Sequence, residues 1–305
     1  MIINTGGRTD TVNYYSDWLL KRFKEGYVCS RNPLFFNHIT KYSLDPAVVD
    51  CVVFCSKNYR PILSRFHEIT DKFNVFCHYT ITAYGKDIEP NVPGIDESIA
   101  TLIELSEKVG RKRVAWRYDP VLLTGIYTVT KHLEVFDHIA SRISPYVSFG
   151  IFSFVEMYKR LGDTMPELIP LTANARRVLA EGMGRIAARY GLRLQTCGTL
   201  ENYERYGIHL SGCMTTTNLG EALGCRFKKM AHKGTRSGCQ CMPTRDIGAY
   251  NTCLNGCKYC YANKKPELAA KNYRLHDPSS PLLVGHIEST DIIREGSQKS
   301  FIIQA

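Results

Sequence analysis

Cys253-Leu-Asn-Gly-Cys257-Lys-Tyr-Cys260 sets three cysteines at CxxxCxxC spacing. Three thiolates can ligate three irons of a [4Fe–4S] cluster and leave the fourth with an open site, whereas closed electron carriers normally use four cysteines. An open iron can bind a substrate, and S-adenosylmethionine is the usual occupant where a cluster starts radical chemistry. The motif therefore reads as a radical S-adenosylmethionine site, with Gly256 letting the backbone bend around the cluster. A competing reading uses the Cys257/Cys260 CxxC half, with two other cysteines of the region, as a zinc site.

The remaining cysteines divide by context. Cys29, Cys51, Cys55 and Cys77 lie in apolar, strand-like surroundings and read as ordinary buried thiols. The other eight of the 12 crowd into residues 197–260. Beyond the opening motif these are Cys197, Cys213, Cys225, Cys239 and Cys241, enough for a second four-cysteine cluster. The best quartet is Cys197, Cys213, Cys239 and Cys241, with Cys225 able to replace one member. Such crowding points to metal or redox chemistry rather than a disulfide framework. His78, His132, His209, His232 and His276 show no metal-ligand spacing and read as structural or surface residues.

The formal charge of +10 is uneven. Residues 224–275 hold eleven Lys/Arg against Asp246 and Glu267, a local +9. That density would attract nucleic acid, or it would balance iron-bound thiolates. Aromatic interleaving of the kind that marks single-strand binders is thin. The N-terminus lacks a charged leader with a long apolar run, and no stretch of about 18 apolar residues occurs. A cytoplasmic protein without a membrane segment is expected.

Elements able to position these groups alternate along the chain. Strands are expected at 1–4, 50–55, 74–82, 113–117, 147–154 and 193–197, and helices at 13–24, 61–73, 95–109, 129–141 and 174–190. A short helix fits 218–223, and 282–286 reads as a strand-like tail. This alternation predicts an α/β fold: a partial (β/α)6 TIM-like barrel over 1–197, a Cys-rich iron–sulfur region over 198–278 capping the barrel mouth, and a tail over 279–305. The Gly- and Lys-rich stretch 224–238 is a candidate lid.

In barrels of βα units chemistry collects at the C-terminal rim of the strands. That rule selects Arg8 and Asp10 after the first strand, Lys57 after the second, and Arg117, Tyr118 and Asp119 after the fourth. Lys57 and Arg117 would bind a carboxylate or phosphate, and Asp10 and Asp119 would accept from an ammonium or ribose hydroxyl. Tyr118 would donate a hydrogen atom or stack. Ion pairing between neighbouring loops is the plainer reading of the same charges.

Ile3-Asn4 running into Arg8-Thr9-Asp10, the Asp50–Phe54 strand ending at Lys57-Asn58, and Trp116-Arg117-Tyr118-Asp119-Pro120 form one set of matching motifs. With Cys239-Gln-Cys241 through Asp246-Ile-Gly248 to Cys260-Tyr-Ala-Asn263, they resemble the domain-of-unknown-function 1848 family over nearly the whole chain. The resemblance implies recurring cysteines at 197, 213, 239, 241, 253, 257 and 260, in agreement with the four-plus-three division. The Cys257-Lys-Tyr-Cys260-Tyr-Ala262 run resembles the cluster loop of spore-photoproduct-lyase-like radical enzymes, which implies that Tyr259 packs near the adenine. In radical S-adenosylmethionine enzymes that loop usually follows the first strand, whereas here it follows six strand–helix units. A circularly permuted barrel, or a cluster delivered by an appendage, would account for this.

The expected function is a radical S-adenosylmethionine enzyme with two [4Fe–4S] clusters, cleaving the cofactor to a 5′-deoxyadenosyl radical that abstracts hydrogen from a substrate. Rim residues Lys57, Arg117, Asp119 and Asp10 would act on a small-molecule or nucleic-acid-derived substrate, with Arg8, Tyr118 and Tyr259 toward the cofactor. A flavodoxin or ferredoxin would supply the electron. The alternatives are a non-enzymatic zinc or iron–sulfur module that binds nucleic acid, and an iron–sulfur electron carrier.

Overall fold

The computed structural model describes residues 1–230 and 238–303. His232 and the centre of the candidate lid lie outside the described residues. Each of the six expected strands forms: β1 (Ile2–Asn4), β4 (Cys51–Ser56), β5 (Val75–Thr80), β6 (Val114–Val121), β7 (Phe149–Phe154) and β8 (Leu194–Cys197). Their β-branched and aromatic runs are buried on both faces, as in Cys51–Ser56 and Val75–Thr80, which suits a parallel sheet covered on each side by helices.

Two further strands extend the sheet, β9 (Ile208–Ser211) and β10 (Arg245–Asp246). The eight strands run in the order β10-β1-β4-β5-β6-β7-β8-β9, and the sheet is open. The α/β expectation is met by a large parallel sheet, which among the described residues does not close into a barrel. Closure would require the edge strands to pair with each other. Here β9 pairs with β8 and β10 with β1, and each remains an edge.

Helices also follow the sequence pattern, with local breaks. The first expected helix divides into Thr11–Tyr14 and Ser16–Glu25 at Tyr15, whose φ of −134° leaves the helical region. The expected 61–73 helix becomes two single turns, Arg60–Leu63 and His67–Thr70. Ile95–Val109 and Val129–Ile143 are long and amphipathic, as is Ala173–Arg189, where the Thr172 side chain accepts from Ala175 N. Thr216–Leu223 starts on Thr215 and ends on Gly224 at φ +67°.

The chain forms two compact units. The first comprises Met1–Cys77, Thr244–Gly256 and Cys260–Ala305. It contains a three-stranded sheet that the sequence pattern did not indicate, β11-β3-β2, made from β2 (Tyr27–Arg31), β3 (His38–Ser43) and β11 (Ile292–Glu295). The expected strand-like tail at 282–286 is corrected: Leu282 is buried against Cys29 and Ile39, Gly285 turns the chain at φ +70°, and the strand forms later as β11. Arg31 pairs with Asp291 at the start of that strand.

The second unit comprises His78–Pro243 and Cys257–Tyr259. It holds β6 to β9, with strand ends at Tyr118 to Val121, Phe154, Cys197 and Ser211. Among the described residues no helix is long and apolar enough to cross a membrane.

Candidate metal centre

β8 ends at Cys197, which stands opposite Ser211 of β9 in parallel register. The turn after β9 carries Cys213 and is held from three sides. Gln195 Nε2 donates to the Gly212 carbonyl at 2.7 Å, and Asn218 Nδ2 donates to the same oxygen at 2.9 Å. The Met242 N–H donates to the Met214 carbonyl at 2.8 Å, laying the segment that carries Cys241 beside the turn. Gly212 marks the closest approach: a Cβ there would lie 2.9 Å from the Gln240 carbonyl carbon and 3.2 Å from Cys241 Sγ.

Folding thus gathers thiols from three separate segments. The sulfurs of Cys197, Cys213 and Cys241 all lie within 4.8 Å of one another, and Cys213 Sγ is 3.3 Å from Cys241 Sγ. The three side chains are buried. Cys239, half-buried, lies two residues before Cys241 on the same segment. Three members of the expected quartet, Cys197, Cys213 and Cys241, are thus brought together.

Charge within the group is uneven. Hydrogen bonds from Cys213, then Cys239 and Cys241, hold the Cys197 thiol far below its ordinary value against the opposing effect of burial. The bond with Cys197 pushes Cys213 and Cys241 up. The Arg117 guanidinium favours the thiolate at both Cys197 and Cys213. It also acts with burial on His78, lowered to about 3. Three buried soft donors beside a cation can bind a metal ion.

Arg117 itself is tied to Asp119, and Asp119 accepts from the Ser153 hydroxyl. These ends of β6 and β7 form one polar cluster in the second unit. Tyr118 points the other way: it is buried, contacts Trp116 and Phe136, and shares a 2.8 Å hydrogen bond with His132 Nδ1.

In the first unit Asp10 is a buried acceptor with four donors. Its carboxylate takes the Ser56 hydroxyl at 2.6 Å and the N–H groups of Lys57 and Asn13 at 3.1 Å, capping the Thr11–Tyr14 turn. The fourth donor is Asn255 Nδ2 at 3.1 Å, from within the CxxxCxxC loop. Asn255 Oδ1 accepts from Asn13 and from the Tyr14 hydroxyl. Burial raises the Asp10 carboxyl despite these bonds. Cys253 is buried beside this network, and its carbonyl accepts from Asn263 at 2.6 Å. Burial, then the Asp10 charge, pushes its thiol up. Arg8 lies 4.0 Å from Asp246 and over the Tyr250 ring, and the half-buried Lys57 follows β4.

Cys257 to Tyr259 belong to the second unit, where the Lys258 N–H donates to the Ile88 carbonyl at 3.0 Å. The Tyr259 hydroxyl donates to Glu89, its carbonyl accepts from Tyr158, and its ring packs against Tyr84. Gln195, Gly212, Asn218, Ser153, Glu89 and Asn255 escaped sequence reasoning. Only Asn255 carried a local signal, as a polar residue inside the cysteine motif.

A family model described as Domain of unknown function (DUF1848) matches residues 2–262. The chain belongs to this family. The DUF1848 match ends two residues after Cys260, so both cysteine groups lie within it, while β11 lies beyond. No curated protein and no solved structure matches the chain. For this DUF1848 protein the established features are therefore the family, the α/β fold and a buried three-cysteine group able to bind metal.

Proposed function

We propose that the protein is a radical S-adenosylmethionine enzyme whose Cys253, Cys257 and Cys260 hold a [4Fe–4S] cluster with one open iron. The CxxxCxxC spacing carries this reading, since three cysteines leave a coordination position that four would close. Such a cluster supplies one-electron reductive cleavage of bound S-adenosylmethionine.

The chain's own residues have separate tasks. Asp10 and Asn255 fix the first half of the loop through buried hydrogen bonds, and Gly256, at φ +71°, turns it. Tyr259 and Lys258 anchor the second half on Glu89 and Ile88. Asp10 is thereby a positioning residue, with each of its donors already protein-borne. The Arg117–Asp119–Ser153 cluster is the site we assign to an anionic or hydroxyl-bearing small molecule. Lys57 and Arg8 would contribute to anion binding, and a flavodoxin or ferredoxin would provide the electron.

Replacing Cys257 by Ala tests the reading. Reductive cleavage of S-adenosylmethionine should vanish, while metal bound by the four-thiol centre stays. Cleavage at the wild-type rate in that variant would refute the assignment.

A further inference from the structure

We infer that Cys197, Cys213, Cys239 and Cys241 hold a single tetrahedral metal ion of the Zn²⁺ class, in place of the second [4Fe–4S] cluster that cysteine counting suggests. The inference goes beyond the radical chemistry proposed above and does not depend on it.

Separation of the donors carries the argument. Around one ion with metal–sulfur bonds of about 2.3 Å, tetrahedral sulfurs stand about 3.8 Å apart. A four-iron cube places iron and bridging sulfide between its cysteine sulfurs and spreads them to roughly 6 Å. Here three sulfurs lie within 4.8 Å of one another, and the nearest pair is 3.3 Å apart. Cys239, half-buried and two residues before Cys241, is the fourth ligand we assign. Around a single ion the nearest pair opens by about half an ångström and no pair closes by more than about 1 Å, whereas a cube would drive every pair apart by more than about 1 Å and the nearest by more than about 2.5 Å.

The surroundings resist that expansion. Two side-chain donors clamp the Gly212 carbonyl, Met242 ties the Cys241 segment to Met214, and Gly212 leaves no space for even a Cβ. Four protein ligands complete a tetrahedron and leave no position for substrate, which is the arrangement of structural zinc. A divalent ion with four thiolates carries a net charge of −2, and the Arg117 guanidinium beside Cys197 and Cys213 offsets part of it. Bound there, the ion joins the end of β8, the turn after β9 and the Cys239–Cys241 segment, and its binding energy becomes folding energy.

The test removes the other cysteine group. The full chain with Cys253→Ala, Cys257→Ala and Cys260→Ala is purified, and zinc, iron and acid-labile sulfide are counted per chain. About one zinc and no stoichiometric sulfide is expected, and adding Cys213→Ser with Cys241→Ser should remove at least nine-tenths of the zinc. About four irons with matching sulfide, or no retained metal, overturns the inference. If the triple variant does not fold, zinc-edge X-ray absorption of the wild-type chain reads the same point. Four sulfur neighbours without a nearby second metal are expected; absent zinc, or zinc bound through nitrogen and oxygen, overturns it. Failure of the radical reading would register separately, as wild-type protein that keeps its zinc but does not cleave S-adenosylmethionine.

Discussion

Substituting Gly212 by Ala should weaken the four-thiol centre without touching a ligand. The new Cβ would meet the Gln240 carbonyl carbon at 2.9 Å, Cys241 N at 3.1 Å and Cys241 Sγ at 3.2 Å. Ordinary carbon contacts need about 3.5 Å, so the Cys239–Cys241 segment must withdraw by about half an ångström. Metal–sulfur distances tolerate only about ±0.2 Å, so one or two of the four bonds lengthen beyond their working range. Displacing what orients a ligand typically costs about ten- to hundredfold in metal affinity. Competition with a chromogenic chelator, followed as metal release against chelator concentration, gives that ratio directly. Gly125→Ala is the control, because nothing lies within 4 Å of its added Cβ. Release from Gly212→Ala that matches wild-type would refute the account of this turn as a metal clamp.

Asp10→Asn should lower the melting temperature by several degrees, because an amide NH2 must face one of four donors and costs about 1–3 kcal/mol. Iron retained by the Cys253–Cys260 loop should fall with it, and unchanged stability by scanning calorimetry would contradict the positioning role. Burial lowers the His132 imidazole from 6.5 to about 4, with Nε2 donating to the Leu122 carbonyl at 2.7 Å. Between those pH values the unfolded chain binds a proton that the folded chain does not, so stability falls as pH drops, by about 3 kcal/mol for this group. In urea titrations the stability gap between wild-type and His132→Gln should therefore narrow from pH 7 to pH 4, and a pH-independent gap would show that His132 is not held neutral.

The six principal strands were legible because they are short segments rich in β-branched, aromatic or other apolar residues between polar or glycine-containing turns, the pattern of a sheet covered on both faces. Closure was not legible, since it depends on which edges meet and no local periodicity encodes that. The strands that were missed explain why: β10 is Arg245-Asp246 with no apolar residue, and β11, Ile292–Glu295, is exposed throughout. β2 and β3 are only partly buried, so their alternation is weak. The grouping of Cys197, Cys213 and Cys241 could be read from cysteine number and crowding, because a metal needs several soft ligands. Its supports could not: Gln195, Gly212 and Asn218 acquire their role by meeting at one carbonyl, from a strand, a turn and a helix separated in sequence. Arg117 and Asp119 were found by their place at a strand end, but Ser153, which completes their cluster from the neighbouring β7, looked like any strand serine.

The most direct measurement of the central claim is paramagnetic resonance of the reduced, anaerobically reconstituted protein before and after addition of S-adenosylmethionine, with iron and zinc counted on the same sample. The account predicts about four irons and one zinc per chain and a cluster signal that shifts when the cofactor binds. A cluster signal that ignores the cofactor, or a chain that retains zinc and no iron, would contradict it and leave an electron carrier or a zinc-stabilised binding module.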